Sequence, residues 1–252
     1  MTLSVSPLDR SFNYGDGFFT TMLVKAGEIQ LWPLHLARLQ QAAQRLHFSS
    51  INWPQLTQDV RAAITQTDQV IKVLISRGQG GRGYSSANVD KPNIYISCAE
   101  VPNYSVWQQQ GIHLGIAELK LAIQPALAGI KHTCRLEQVL IKQQLLQSEY
   151  DDLLVFDQQN FACEASAANV FFHRQNQWYT PCLTRAGVAG VMRQQLMEQI
   201  KVQQVNWTLD QLDHIDAIFI CNALMGIVPV RQFMAKQLDM SSVFTLMKQP
   251  LC

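Results

Sequence analysis

Two residues of this chain combine a reactive type with an unusual setting. Lys131 follows the small, apolar stretch ALAGI (126–130) and precedes a segment of helical pattern, a place where an amine can emerge from a strand end into a cleft. An amine held in partly apolar surroundings is less stable as an ammonium, so it becomes a better nucleophile and can form a Schiff base with a carbonyl. Position alone leaves open the plainer alternative of a solvated lysine. Glu164 stands 33 positions later in FACEASAANVFF (161–172), an acid among small and apolar residues in a β-prone segment. A buried carboxylate without a partner is costly and is tolerated opposite a complementary proton, such as that of a protonated ring nitrogen. A salt bridge or an exposed strand face is the other account of it.

Weaker signals point to an anion. Arg38 lies in a helical pattern, and Gly187 and Gly190 lead into a helix that starts near Val191 and Met192. Glycine at a helix start lets backbone N–H groups and the helix dipole approach a phosphate, and arginine supplies a forked cationic donor. Asn222 and Ala223 end a buried strand, where Asn222 can equally be a satisfied turn residue. Arg77, Arg82 and Tyr84 occupy the glycine-rich loop RGQGGRGY (77–84) and could hold a carboxylate, or the arginines could clamp the loop itself. Thr20 and Thr21 belong to the opening strand, and Thr21 is a candidate for the same ligand.

The elements that must position these residues follow from periodicity and breakers. Residues 12–32 read as a strand pair around a turn at Lys25–Glu28, with IQLW extended; helical patterns follow from Pro33 and Pro54. The runs 70–76 and 93–101 are strands flanking the glycine-rich loop. The polar segment 102–110 reads as a connection between domains. Beyond it come an extended IHLGIAEL, a helix over RLEQVLIKQQLL, strands in DLLVFD, NVFFHR and QWYTP, a helix over GVMRQQLMEQI and a buried strand at 217–224, then a mixed tail. With 252 residues, 48% hydrophobic and 15% charged, the chain can bury a sizeable core and is not disordered in composition. A net charge of +1 without basic runs suggests neither nucleic acid nor an anionic membrane as a partner. Six scattered cysteines without a CxxC pair read as reduced, mostly core residues, and the absence of a leader or a long apolar stretch reads as a cytoplasmic protein.

Taken in order, NYGDGFFTT (13–21), LHLARL (34–39), ISRGQGGRGY (75–84), GIKHTCRLEQVL (129–140), CEASAANVFF (163–172), AGVAGVMRQ (186–194) and CNALMGIVPV (221–230) resemble the fold-type IV pyridoxal-phosphate enzymes, the D-amino-acid aminotransferase-like family. Within that family they are most similar to the lyases acting on 4-amino-4-deoxychorismate. The resemblance implies a two-domain α+β fold, with a small N-terminal α/β domain (1–101) and a larger cofactor-binding domain (107–252) built on a mixed, barrel-like sheet. It implies pyridoxal 5'-phosphate joined to Lys131, Glu164 as partner of the ring nitrogen, and Arg38, Val191, Met192, Asn222 and Ala223 around the phosphate. Arg82, Tyr84, Thr21 and Arg77 fall on the substrate side. The activity implied is elimination of pyruvate to leave 4-aminobenzoate, a step of folate biosynthesis, in a homodimer.

Two departures stand out. The family's aminotransferases usually carry a Thr near Met192 and a Gly-Thr near Asn222-Ala223, so hydroxyl contacts to phosphate are missing unless Asn222 replaces part of them. Cys134, after the lysine, reads as packing. A branched-chain or D-amino-acid aminotransferase would use the same Lys131 and Glu164; GDGFFTT and RGQGGRGY together with CNALM favour the lyase. A non-catalytic dimeric scaffold is the alternative of another class, and the presence of both Lys131 and Glu164 speaks against it.

Overall fold

A computed structural model describes residues 4–48 and 51–249; Cys252 lies outside them. The chain divides into two compact units. One runs to Val101 and includes Ile130–Arg135; the other comprises Pro102–Gly129 and the chain from Leu136 onward. The short segment carrying Lys131 therefore groups with the first unit, although a boundary near residue 101 would assign it to the second.

In the first unit, Asp9 accepts a hydrogen bond from the Ser11 N–H at 2.8 Å and caps the helix α1 (Arg10–Tyr14), which ends at Gly15 with φ 66°. This corrects the extended reading from residue 12: a cap and a left-handed glycine close a helical turn before the strand begins. Strand β1 (Gly17–Lys25) turns into β2 (Glu28–Ile29). Of the expected extended IQLW only Ile29 is strand; Gln30 and Leu31 turn and Trp32 begins helix α2 (Trp32–Arg45), where Pro33 presets the backbone angle of a first helical turn. Helix α3 (Trp53–Ala62), β3 (Gln69–Ser76) and β4 (Asn93–Ala99) complete the unit, with the antiparallel sheet in the order β2-β1-β3-β4. Period-two alternation divides β1. Phe18, Thr20, Met22 and Val24 are buried, the apolar three in a core with Leu39, Leu56 and Val60, whereas Phe19, Thr21 and Leu23 are half-buried on the other face.

In the second unit the polar connection expected at 102–110 contains a helix, α4 (Ser105–Gln110), held by Gln108 Nε2 donating to the Met225 carbonyl at 2.7 Å. The remaining elements are β5 (Ile112–Ile116), α5 (Leu136–Leu146), β6 (Asp152–Phe156), β7 (Ala162–Ala165), β8 (Asn169–Arg174), β9 (Gln177–Pro181), α6 (Val191–Gln199), β10 (Val202–Val205), a 3-10 turn (Leu209–His214), β11 (Ala217–Asn222), β12 (Gly226–Phe233), β13 (Lys236–Gln237) and α7 (Ser241–Met247). Nine strands form one mixed sheet in the order β10-β9-β8-β11-β12-β5-β6-β7, with β13 beside β12. The sheet curls into a half barrel, the expected α+β architecture. Strands β6 and β11 are buried almost throughout, which is why they read as continuous apolar runs. Their side chains feed one core around Leu114, Leu154, Phe172, Ile218 and Val230 and another around Ile141, Leu153 and Val155.

Among the described residues no helix is long and apolar enough to cross a membrane. The five described cysteines are unpaired, but only Cys163 and Cys221 are buried, so "mostly core" overstates the case. Burial pushes both of those thiols up, which leaves them unreactive.

Candidate active site

Lys131 is held by backbone on both sides. Its carbonyl accepts from the Phe19 N–H at 2.9 Å, Thr133 N–H donates to the Gly17 carbonyl at 2.9 Å, and His132 bridges Phe18, so residues 131–133 extend the edge of β1. The GDG motif makes this approach possible. A Cβ at Gly17 would lie 2.8 Å from the Ile75 carbonyl oxygen, and one at Gly15 would lie 2.2 Å from Cys134 Sγ. Thr133 Oγ1 donates to the Gly15 carbonyl at 2.6 Å, and Arg135, which the sequence reading passed over, closes the turn by donating to the carbonyls of His132 at 2.9 Å and Ile130 at 3.2 Å. Lys131 Nζ sits 4.7 Å from the centroid of the Phe19 ring. Burial, reinforced by Arg135, lowers the His132 pKa to about 4, so the imidazole next to Lys131 is neutral at physiological pH.

The opposite face of β1 engages Arg38. Its Nη2 donates to Thr20 Oγ1, whose hydroxyl also meets His35 Nδ1 at 2.6 Å. Adjacent threonines thus face different ways: Thr20 meets Arg38, while Thr21 shares the Phe19 face and lies opposite Lys72 of β3. Burial lowers the Arg38 pKa to about 10, still charged at neutral pH, and its buried Nε has no hydrogen-bond partner among the described residues.

The glycine-rich loop is fastened by charges. Asp16 accepts from Arg10 Nε at 2.8 Å and from Arg77 Nε at 2.8 Å. Arg10 also donates to the carbonyls of Gly83, Tyr84 and Ser85, and Arg77 to those of Leu46 and His47. Arg77 thus clamps the loop within the unit and is only 9% exposed. Arg82 is exposed and lines an open cavity of about 590 Å³ with Leu8, Tyr14 and Asn88. Tyr84 is 86% exposed, its ring centroid 5.5 Å from that of Tyr14 in an edge-to-face contact.

In the second unit Glu164 is buried in β7. Its Oε2 accepts from the Val188 N–H at 2.8 Å and its Oε1 from Gln138 Nε2 at 3.4 Å. The loop that supplies Val188 is fixed by Asn169, which donates to the Val188 carbonyl at 2.8 Å and accepts from the Gly190 N–H at 3.0 Å. Gly187 has φ 82°, and a Cβ there would stand 2.9 Å from Leu183 and 3.4 Å from Glu164 Oε2. Gly190 begins α6 without any side-chain cap, so the buried Val191 and Met192 open the helix with backbone N–H groups. Asn222 is the satisfied turn residue: Oδ1 accepts from Leu224 and Met225 N–H, both at 2.9 Å, and Nδ2 donates to the Ala167 carbonyl at 3.2 Å. Its Nδ2 carries a second hydrogen beyond the one given to Ala167, and Ala223 can offer an anion only its backbone.

Arg135, Thr20, Gln138, Asn169 and the Asp16 clamp were not singled out from the sequence. Asp16 between two glycines and Asn169 inside CEASAANVFF lie within the quoted motifs, which was the available signal.

The amino-transferase class IV family model matches residues 17–233. The chain is 38% identical to an aminodeoxychorismate lyase from Vibrio harveyi, over 88% of this chain and 84% of that protein. It is 22% identical to a D-alanine aminotransferase from Bacillus licheniformis, over 88% of this chain and 80% of that one. The crystal structure of 4-amino-4-deoxychorismate lyase from Pseudomonas aeruginosa superposes with a TM-score of 0.93 at 32% identity, covering 98% of this chain and 93% of that one.

Proposed function

Because the chain belongs to the amino-transferase class IV family, whose cofactor is pyridoxal 5'-phosphate, we propose that it is a lyase that removes pyruvate from 4-amino-4-deoxychorismate and leaves 4-aminobenzoate, in folate biosynthesis. The observation that carries this reading is the 38% identity to the Vibrio harveyi lyase, against 22% to the D-alanine aminotransferase at the same coverage of this chain.

The residues fit the cofactor. Arg38 keeps a buried Nε donor without a partner among the described residues, suited to a phosphate oxygen, and Gly187 leaves the approach to Glu164 Oε2 free of a side chain. Arg38, the Val191 and Met192 amides and the Asn222-Ala223 backbone would hold the phosphate. Glu164 would hold the proton of the ring nitrogen. When bound, pyridoxal phosphate supplies an electron sink for the pair released at the carbon bearing the substrate amine. Lys131 Nζ would hold the cofactor and, as a free amine beside the substrate, would take the proton from ring carbon 4. The ether C–O bond at ring carbon 3 breaks, the enol carbon of the departing group gains a proton, and pyruvate leaves an aromatic ring behind. Proton lost and proton gained balance, so Lys131 Nζ can serve both transfers. Arg82, Tyr84 and Thr21 are proposed to hold the substrate, with the Arg82 guanidinium matched to a carboxylate.

The same reading takes residues 1–101 and 107–252 as domains, a homodimer in the cytoplasm, and a small-molecule ligand rather than nucleic acid or membrane. Support comes from the exposed apolar residues of α5, from the unpaired cysteines and from a net charge of +1. The test is to mix holoenzyme with 4-amino-4-deoxychorismate and follow 4-aminobenzoate and pyruvate together. Equal release of both is expected, with none from Lys131→Ala. Rapid amino transfer to a keto acid with neither product formed would replace the lyase by an aminotransferase.

A further inference from the structure

Proton counting around Arg38 reaches beyond Arg38 itself. A guanidinium only donates, so Thr20 Oγ1 is the acceptor in its bond to Nη2. Donation of the Thr20 hydroxyl proton to its other neighbour, His35 Nδ1, 2.6 Å away, is the arrangement that leaves the donor of this buried hydroxyl satisfied. An imidazole that accepts at Nδ1 is neutral and carries its proton on Nε2. Burial, with Arg38 as a neighbouring positive charge, lowers the His35 pKa to about 3, in accord with that tautomer. Thr20 and His35 are both 0% exposed, and His35 Nε2 has no hydrogen-bond partner among the described residues. A core that tolerates an unsatisfied imidazole N–H gives up stability that an apolar side chain of similar volume would keep. What the pair provides in return is direction: it pins one edge of the guanidinium and so fixes where Arg38 Nε points.

We propose that Thr20 and His35 are positioning residues that hold Arg38 in the orientation needed to grip a phosphate monoester, so that their role is specific to the phosphate end of the cofactor. The proposal rests on the assignment of Arg38 to the cofactor phosphate. Thr20 is set apart from its neighbour Thr21 by the face of β1 that it occupies.

The experiment compares pyridoxal 5'-phosphate with pyridoxal, which lacks the phosphate. Full-length enzyme freed of cofactor is titrated with each by visible absorbance, and the ratio of the two dissociation constants reports the phosphate contribution. Thr20→Val and His35→Phe are expected to lower that ratio roughly tenfold or more, the worth of one charge-assisted hydrogen bond. Thr20→Ser keeps the hydroxyl and His35→Asn keeps an acceptor near the Nδ1 position, so both restore the ratio. A merely structural role would weaken both ligands alike and leave the ratio unmoved. A Thr20→Val or His35→Phe protein with native circular dichroism and an unchanged ratio, beside an Arg38→Met protein that loses it, overturns the proposal. If Arg38→Met itself keeps the ratio, the assignment of Arg38 fails and takes the proposal with it.

Discussion

Glu164 illustrates how a carboxylate is accommodated in a β-strand interior. Its oxygens receive N–H donors from Val188 and Gln138, and hydrogen bonds to a charged group offset part of its desolvation. Glu164→Gln keeps the shape, and its amide oxygen can still accept from Val188, so the variant is expected to fold and retain cofactor. It loses the anion proposed to hold the ring proton. Turnover measured at saturating cofactor should fall by roughly a hundredfold or more, the scale on which removal of one well-placed electrostatic group acts. An unchanged rate would separate this acid from the chemistry. At this scale, type and setting singled out Lys131 and Glu164 as candidates, and only the family resemblance gave them roles. Residues acting through geometry were not legible. Thr20 and Thr21 are neighbours of one type, and only the alternation of β1 against α2 separates the one meeting Arg38 from the one beside Phe19. Arg77 was a loop arginine with two open readings until Asp16 and two carbonyls claimed its donors.

Between elements, one buried acid ties three of them together. Asp9 caps α1 through Ser11, and its carboxylate also accepts from Ser76 of β3 and from Asn93 and Tyr95 of β4. Burial alone would raise its pKa, but these hydrogen bonds outweigh burial and bring it down to about 2. A group whose folded pKa is depressed stabilises the fold above its unfolded value, and that contribution is lost as pH falls through the folded one. The lost part is about 2 kcal/mol, disappearing between roughly pH 4 and pH 2. Asp9→Asn should therefore be clearly less stable than the parent in urea unfolding at pH 7, with a gap that narrows at pH 3. A gap independent of pH would show that the carboxylate charge is not what holds these elements. Most strands and the long helices were legible because their periodicity is local, whereas β10, β12 and β13 were not read as strands. Helices α1 and α4 were not legible: one depends on a cap and a left-handed glycine, and the other is a six-residue polar helix anchored by Gln108 to a carbonyl more than a hundred residues away.

For the molecule as a whole, the informative surface is the outward stripe of α5. Leu136, Val139, Leu140 and Leu146 are 75%, 51%, 55% and 79% exposed, while Ile141 on the same helix is fully buried. Spacings of three, four and seven residues place those four on one side of the helix, so they form a continuous apolar strip rather than scattered single contacts with water. Such a strip is stable in a soluble protein when another surface covers it. In the proposed homodimer a twofold axis brings the same patch of both copies together, so each substitution enters twice and like charges meet across the axis. Val139→Lys with Leu140→Lys should shift the sedimentation of the holoenzyme from dimer to monomer, with the melting of the separated chains little changed because neither side chain is buried in its own fold. A parent that sediments as a monomer at micromolar concentration removes the dimer altogether, and a double variant that stays dimeric moves the interface away from α5.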